Sequence, residues 1–206
     1  MSNEKIPVAV LGATGSVGQR FVQLLESHPW FRLHEAVASE RSAGKTYAEA
    51  ADWRLETLMP REAAALVVKP LNTPLESKIV FSGLDSSVAG EAEELYASQG
   101  CAVISNSKNH RMDPDVPLLI PEINADHIAA LERQKKRRGG DGFIVTNPNC
   151  STMGLAIAIA PIDRLYGIEQ LHVTTMQAVS GAGYNGVASY AILDNVIPFI
   201  DGEEPK

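Results

Sequence analysis

IPVAVLGATGSVGQRFVQLLESHP, residues 6–29, contains a strand pattern, a glycine turn and a helix pattern in one continuous stretch. The run from Ile6 to Leu11 is apolar and rich in β-branched residues, which is typical of a strand buried on both faces. From Val17 onward, apolar residues recur at helical spacing. The stretch therefore predicts a strand–turn–helix unit that opens an α/β domain.

The turn of this unit has the spacing GxxGxxG, formed by Gly12, Gly15 and Gly18. Glycines allow a tight turn and a close approach of the backbone to a pyrophosphate, and the helix N-terminus offers N–H groups and partial positive charge. Tight strand–helix turns also occur without ligands. The position directly after an N-terminal strand favours a dinucleotide site.

The second strand is predicted at residues 31–39 and leads into SERSAGK, residues 39–45. An acidic residue at this place holds the ribose of NAD in many dinucleotide-binding proteins, and Glu40 could do so. Arg41, Lys45 and the two serines suit a 2′-phosphate better, because they supply positive charge and hydrogen-bond donors. The loop favours NADP over NAD, with an ordinary solvated loop as the alternative.

The alternation of strands and helices continues along the chain. It predicts strands at 78–83, 101–106 and 142–147, and helices at 86–100 and 124–138. Such alternation indicates a doubly wound parallel sheet of the Rossmann type. Cys101 starts an apolar run and is expected to be a buried core thiol. KKRRGG, residues 135–140, is interpreted as a basic helix C-terminus followed by a glycine stop rather than a nucleic-acid patch.

Composition and charge argue against several classes of protein. The net charge is −7 and the pI is about 5.2, which argues against a general nucleic-acid binder. No segment reaches the roughly 20 apolar residues of a membrane span, and the N-terminus lacks a secretory pattern. With two cysteines and no metal-ligand spacing among the five histidines, we expect neither a disulfide scaffold nor a metal site. A cytoplasmic location is the default expectation.

NPNCSTMG, residues 147–154, places a cysteine where the last predicted strand passes into a mostly apolar helix that is predicted to be buried. Asn147 or Asn149 could be the N-cap, and either choice puts Cys150 in or beside the first turn. A helix N-terminus lowers the pKa of a thiol, so Cys150 is expected to be substantially thiolate. Backbone N–H groups, with Asn149, could stabilise an oxyanion. These features favour a nucleophile over a buried structural cysteine.

A thiolate near a nicotinamide suggests a specific reaction. The sulfur would attack an acyl carbonyl to form a thioester, which a hydride from NADPH would reduce to an aldehyde, or the reverse.

Several motifs along nearly the whole chain give it a specific resemblance. They are GATGSVGQ, SERSAGK, SNSKNHRMDPDVPLLIPEIN, NPNCST, QAVSGAGYNG and DNVIPFIDGEE. In this combination the chain resembles the aspartate-semialdehyde dehydrogenase family, most closely its archaeal/fungal-type branch. The resemblance implies NADP-dependent reductive dephosphorylation of L-aspartyl 4-phosphate to aspartate 4-semialdehyde, in the biosynthesis of lysine, threonine and methionine.

The resemblance also implies roles for individual residues. Cys150 is the expected nucleophile, and Gln177 is expected beside the substrate and nicotinamide. The cofactor residues implied by the motifs, together with the glycine turn, are Gly12, Thr14, Gly15, Ser16, Val17, Gly18, Ser39, Arg41, Ser42, Ser180 and Gly181. The substrate residues implied are Asn106, Arg111, Asn149 and Glu204. Arg111 has an independent rationale, because a guanidinium can bind a phosphate through two hydrogen bonds.

The implied domain organisation is a Rossmann-type NADP-binding domain over residues 1–148 and the N-terminal part of an α+β catalytic and dimerisation domain over 149–206. Family members form homodimers or homotetramers, which is the expected assembly, and no nucleic acid or membrane partner is expected. The family continues past the last residue here and there supplies a histidine acid/base and an arginine for the substrate carboxylate. The chain is therefore expected to be a truncated form that binds NADP weakly and turns over poorly or not at all.

Residues 168–181 are predicted to form an edge strand of the second domain, with an apolar face in need of a partner. Rival functions within enzymes are a related acyl reductase, such as malonyl-CoA reductase, and more distantly N-acetylglutamyl-phosphate reductase. From another class, the chain could be a noncatalytic NADP-binding module.

Overall fold

A computed structural model describes residues 4–179 and 192–197 of the chain. The chain forms two compact units, Met1–Val173 and Thr174–Lys206. The first unit holds every strand and the long helices given below. The predicted boundary at 148/149 stays a prediction.

The first unit is built on a six-stranded parallel sheet in the order β3-β2-β1-β4-β5-β6. The strands are β1 Ile6–Leu11, β2 Phe31–Ala38, β3 Lys69–Pro70, β4 Ile79–Ser82, β5 Ala102–Ser105 and β6 Phe143–Thr146. The order reverses between β1 and β4, which is where a doubly wound fold binds its ligand. The predicted fold class is confirmed.

The helices alternate with these strands. They are α1 Ser16–Leu25, α2 Tyr47–Ala50, α3 Arg61–Ala64, α4 Ser86–Ser98, α5 Pro121–Asn124, α6 Ala130–Arg138 and α7 Cys150–Tyr166. A 3-10 turn, Ala125–Ala129, joins α5 to α6.

The sheet is covered on both faces, which explains why β1 is apolar throughout. Val8 and Val10 belong to a core cluster with Val22 of α1, while Ala9 and Leu11 belong to a second cluster with Tyr96 of α4. Successive side chains of a strand point to opposite faces, so neither face of β1 tolerates a polar residue. The predicted core thiol Cys101 is buried in the second cluster.

The predicted helix over 124–138 is in fact three pieces. Asn124 is the last residue of α5, and its side chain bonds back to the residues before that helix, with Nδ2 donating to the Leu118 carbonyl and Oδ1 accepting from the Ile120 N–H. The basic end of α6 has the structural role that the sequence indicated. Arg137 pairs with Asp115, Arg138 pairs with Glu94 of α4, and Gly139 takes the left-handed C-terminal conformation.

Two predictions about the later segment are wrong over the described residues. The apolar helix α7 was expected to be buried, yet none of its residues is buried. Residues 168–179 were expected to form a strand, yet they pair with no strand in the part of the chain that the structure describes. Both patterns indicate an apolar surface that needs a partner, and a pattern alone does not place that partner.

Candidate active site

The glycine turn lies at the carboxyl end of β1, at the reversal point of the sheet. Gly12 has a φ of +69°, and a Cβ there would lie 2.7 Å from the Gly83 carbonyl oxygen after β4. A Cβ on Gly18 would lie 2.1 Å from the Gly12 oxygen. The spacing of these two glycines is therefore a steric requirement of the turn.

The first turn of α1 is arranged as an anion site. Its N-cap is Gly15, which has no side chain, so no side-chain hydrogen bond caps the helix. First-turn N–H groups have no acceptor within their own helix, so a phosphate at this position can accept from them. Thr14, Ser16 and Val17 are at least partly exposed here, as a phosphate-binding turn requires.

Two side chains that the sequence reasoning missed hold this turn in place. Gln19 is fully buried and donates from Nε2 to the Thr14 carbonyl at 3.0 Å and to the Asp52 carbonyl at 2.9 Å. The Tyr47 hydroxyl donates to the Ala13 carbonyl at 2.8 Å. The available signal for Gln19 was a polar residue on the buried face of α1, between Gly18 and Val22.

The predicted 2′-phosphate loop lies beside the glycine turn, because β2 pairs with β1 and the Ala13 N–H donates to the Val37 carbonyl. Ser39 and Arg41 are exposed, and Ser42 is half-buried. The Ser42 N–H donates to the Ser39 carbonyl at 2.8 Å, which closes a turn and presents the Arg41 side chain to solvent. This geometry is open to an anionic ligand.

Cys150 is the first residue of α7 and is exposed. The N-cap question left open by the sequence is answered in favour of Asn149, whose Oδ1 accepts from the N–H groups of Ser151 at 3.0 Å and Thr152 at 3.4 Å. Cys150 thus lies in the partial positive charge of a helix N-terminus, at the carboxyl edge of the sheet.

Arg111 joins the residues that follow β5 and β6, close to this cysteine. Its Nε donates to the Asn147 carbonyl at 3.0 Å, and its Nη2 donates to the Asn106 carbonyl at 2.9 Å. The side chains of Asn147 and Asn106 also bond to each other. Burial lowers the pKa of Arg111 from its ordinary value, and electrostatic attraction by Cys150 opposes that shift. The predicted residues Asn106, Arg111 and Cys150 therefore form one cluster.

The cysteine cluster and the glycine turn share the same edge of the sheet. Cys150 follows β6 and the glycine turn follows β1, with β4 and β5 between them. Neighbouring strands are about 4.8 Å apart, so the two sites are separated by about 14 Å across the strand ends. An extended ligand with a phosphate at one end and a reactive group at the other can span that distance.

The remaining predicted residues belong to the second unit. Gln177 is half-buried in a segment without regular secondary structure. Ser180, Gly181 and Glu204 lie outside the described residues. Within residues 4–179 and 192–197, no cluster of three or more histidine, cysteine or acidic side chains could hold a metal ion. The helices of this same portion are too short or too polar to cross a bilayer.

Two family models match the chain. The model described as semialdehyde dehydrogenase, NAD binding domain, matches residues 7–131. The model described as semialdehyde dehydrogenase, dimerisation domain, matches residues 159–206.

Curated relatives match the chain over nearly all of its length. An aspartate-semialdehyde dehydrogenase of Archaeoglobus fulgidus is 51% identical over 97% of this chain and 58% of its own length. That of Candida albicans is 48% identical over 96% of this chain and 57% of its own length. The chain thus spans less than two thirds of these relatives.

Solved structures agree. The crystal structure of aspartate semialdehyde dehydrogenase with NADP from Candida albicans is similar with a TM-score of 0.81 and 41% identity, over 97% of this chain and 57% of that one. An aspartate semialdehyde dehydrogenase II from Vibrio cholerae, complexed with ASA, has a TM-score of 0.62 and 30% identity over 81% of this chain and 49% of that one.

Proposed function

The chain belongs to the semialdehyde dehydrogenase family, and we propose that it forms the cofactor-binding and nucleophile-bearing part of an NADP-dependent aspartate-semialdehyde dehydrogenase. The proposed reaction is the reversible reductive dephosphorylation of L-aspartyl 4-phosphate to aspartate 4-semialdehyde, in the biosynthesis of lysine, threonine and methionine. The observation that carries the proposal is the exposed Cys150 at the start of α7, with the Arg111 guanidinium in its neighbourhood and bonded to the Asn147 carbonyl.

NADP fits the groups at the glycine turn. A Cβ on Gly12 or Gly18 would fill the turn, and Gly15 leaves the first turn of α1 to a pyrophosphate. We assign the pyrophosphate to Thr14, Gly15, Ser16 and Val17. Ser39, Arg41 and Ser42 would hold the 2′-phosphate, because they combine a guanidinium with hydroxyl donors. Bound NADPH would supply the hydride that turns an enzyme-bound thioester into an aldehyde.

The chain's own chemistry is acyl transfer to sulfur. The Cys150 thiolate attacks the carbonyl carbon of the acyl phosphate, the C–O bond to phosphate breaks, and inorganic phosphate leaves with the electron pair of that bond. The product is a thioester on Cys150. In the reverse direction, phosphate attacks the thioester carbonyl and the thiolate leaves.

Arg111 and Asn106 would bind the phosphoryl group during this step. Two nitrogens of Arg111 are engaged by backbone carbonyls, so its position is fixed while the guanidinium keeps its charge. Asn149 orders the first turn of α7, and the N–H groups there would stabilise the oxyanion. Gln177, Ser180, Gly181 and Glu204 are assigned by the family motifs to the substrate and nicotinamide.

We also propose that the protein assembles as a homodimer or a homotetramer. The match of residues 159–206 to a dimerisation domain and the exposed apolar residues of α7 support this assembly. The two cysteines described as free support a cytoplasmic location.

The first half-reaction tests the proposed function, because it needs no hydride. The purified chain is mixed with L-aspartyl 4-phosphate, without cofactor, and phosphate release and the mass of each cysteine peptide are followed. We expect one phosphate per chain and an aspartyl thioester on Cys150, with both lost in Cys150→Ser. Cys101, which is buried, serves as the internal control.

Two results would contradict the proposal. One is acylation of Cys150 no faster in the folded chain than in the urea-unfolded chain. The other is a preference for malonyl-CoA over aspartyl phosphate as acyl donor, which would indicate the rival acyl reductase. Binding of NADP is measured separately by calorimetry, with NAD as the comparison.

A further inference from the structure

Two ionisable side chains behind the cysteine cluster are buried and have no role in the proposed chemistry. Glu93, on α4, is fully buried, and His110, in the segment between β5 and α5, is 7% exposed. Ionisable groups are rarely buried to this degree unless their interactions compensate the loss of hydration. Their contacts lead to the segment that carries Asn106 and Arg111.

Glu93 joins the ends of two strands of the sheet. Its Oε1 accepts from the hydroxyls of Ser82 at 2.6 Å and Ser105 at 2.8 Å, and these serines end β4 and β5. The Ser105 hydroxyl oxygen in turn accepts from the Ser107 N–H at 3.0 Å. Burial raises the pKa of Glu93, and the two serine hydrogen bonds oppose that shift. The carboxyl group thus fixes the exit of β5.

His110 attaches the same segment to α4 from its other end. Its Nδ1 lies 2.8 Å from the Asp113 carboxylate, and its Nε2 lies 3.8 Å from Glu93 Oε2. Within the described part of the chain, neither Nε2 nor Oε2 has a hydrogen-bond partner. The two atoms therefore lie next to each other in the buried space between this segment and α4, with no hydrogen bond between them.

His110 and Arg111 are consecutive residues whose side chains contact different parts of the protein. His110 enters the pocket against α4, while Arg111 reaches the carbonyls of Asn147 and Asn106 and the neighbourhood of Cys150. A shift of His110 consequently moves the backbone from which the guanidinium extends.

We propose that Glu93 and His110 are positioning residues, which hold the segment from Asn106 to Arg111 so that the guanidinium lies beside Cys150. The inference rests on the proposed function, since placement of the guanidinium matters for catalysis only if Cys150 is the nucleophile. Its test needs no acyl donor and no cofactor, so it can fail while the proposed function stands.

The test is the ratio of the alkylation rates of Cys150 with iodoacetate and with iodoacetamide. The first reagent is an anion and the second is neutral, so their ratio reports the positive charge beside the sulfur. We expect Arg111→Gln to lower the ratio about fivefold, the factor expected for loss of one nearby charge. Glu93→Leu and His110→Leu should approach that value.

The sign of the effect separates displacement from simple electrostatics. Removal of an acidic residue would by itself raise the rate with the anionic reagent, whereas displacement of Arg111 lowers it. Glu93→Gln should keep the ratio within about twofold of the wild type, because the amide oxygen still accepts from both serines. Glu91→Leu, on the exposed face of the same helix, is the matched control and should leave the ratio unchanged.

Urea unfolding of each variant accompanies the rates. If Glu93→Leu does not fold, Ser105→Ala replaces it, since it removes only the link from Glu93 to the Ser107 N–H, and we expect at least about a twofold fall. The proposal is overturned if His110→Leu and Ser105→Ala keep the wild-type ratio, or if Glu93→Gln falls as far as Arg111→Gln.

Discussion

At the scale of single residues, burial and partners decide what an ionisable side chain does. Glu35, on β2, is buried and accepts from Lys69 Nζ at 2.7 Å and from the Ser77 N–H at 2.8 Å. Burial alone would raise its pKa, but these hydrogen bonds outweigh burial and lower the pKa from 4.5 to about 2. Glu35 thereby ties β3 and the start of β4 to β2 in its charged form.

This shift predicts a defined dependence of stability on pH. The folded-state pKa lies below the unfolded value, so the contribution of Glu35 is present above about pH 4.5 and is lost as pH falls through about 2. We expect the pH-dependent part of the difference in unfolding free energy between wild type and Glu35→Gln to be about 3 kcal/mol. Urea unfolding at a series of pH values measures it, with Glu132→Gln as an exposed control. A difference that stays constant between pH 6 and pH 2 would contradict this account.

We propose that Arg41 discriminates between the two nicotinamide dinucleotides. It is exposed in the turn closed by the Ser42 N–H, so its charge is available to a 2′-phosphate. Arg41→Ala should weaken NADP binding about tenfold or more and change NAD binding little, because the lost interaction is a charge-assisted hydrogen bond of about 1.5–3 kcal/mol. Calorimetry with both dinucleotides measures this, and Arg61→Ala on α3 is the control. An equal loss for NAD would place Arg41 outside the 2′-phosphate site.

At the scale of elements, the effect of a helix cap on stability can be measured separately from its effect on the reactivity of Cys150. Asn149 caps α7 beside Cys150, and Asp85 caps α4 by accepting from the Ser87 N–H at 2.9 Å. Replacement of either cap residue by alanine should lower the free energy of unfolding by about 1 kcal/mol. The two caps thus form a matched pair, one on the helix that begins with Cys150 and one on a different helix.

We expect Asn149→Ala, and not Asp85→Ala, to slow alkylation of Cys150. The reason is that only the first frays the turn that presents the sulfur and its neighbouring N–H groups. Iodoacetamide rates at constant pH and urea midpoints, measured on both variants, test this pair. Equal slowing in both would mean that Cys150 responds to global stability and not to its own cap.

Sequence periodicity predicted the longer strands and helices, because their buried faces leave a repeating apolar pattern. It missed the short elements that are held by a few specific contacts. The strands β1, β2, β4, β5 and β6 were predicted because each is apolar and bounded by turn residues. The two-residue β3 and the four-residue helices have too few positions for a period. The break at Asn124 depends on side-chain bonds to Leu118 and Ile120, which composition does not encode.

The residues of the candidate site likewise fall into those that local sequence pattern predicted and those that only the fold brings together. Cys150 and the glycine turn were predictable because their positions at strand–helix junctions follow from local pattern. The contact between Arg111 and Asn147 joins positions 36 residues apart, and its geometry required the folded sheet. Gln19, Tyr47, Glu93 and His110 were not identified as part of the site, since buried polar residues carry no signal until their partners are known.

At the scale of the whole molecule, exposed apolar side chains recur along α7, in the later part of the first unit. Leu165 is 74% exposed and Tyr166 is 83% exposed at the end of α7, within the residues that match a dimerisation domain. Exposed apolar residues grouped in this way mark association surfaces in soluble proteins.

We therefore expect Leu165→Glu to weaken self-association. Sedimentation velocity over a range of concentrations measures the effect, and a buried charge should raise the dimer dissociation constant by about tenfold or more. Leu58→Glu is the control, because Leu58 is equally apolar and 91% exposed but lies outside the dimerisation match. The same fall in association for both variants would show that net charge, and not this surface, controls assembly.

An accessible sulfur at the N-terminus of α7, near the Arg111 guanidinium, is central to the proposed acyl transfer. The decisive measurement is the iodoacetamide rate constant of Cys150 at pH 6 in the folded chain, against the same peptide in the urea-unfolded chain. We predict a rate about tenfold higher in the folded chain, which corresponds to about 1.4 kcal/mol of activation free energy. A folded rate equal to or below the unfolded rate would contradict the assignment of Cys150 as the nucleophile.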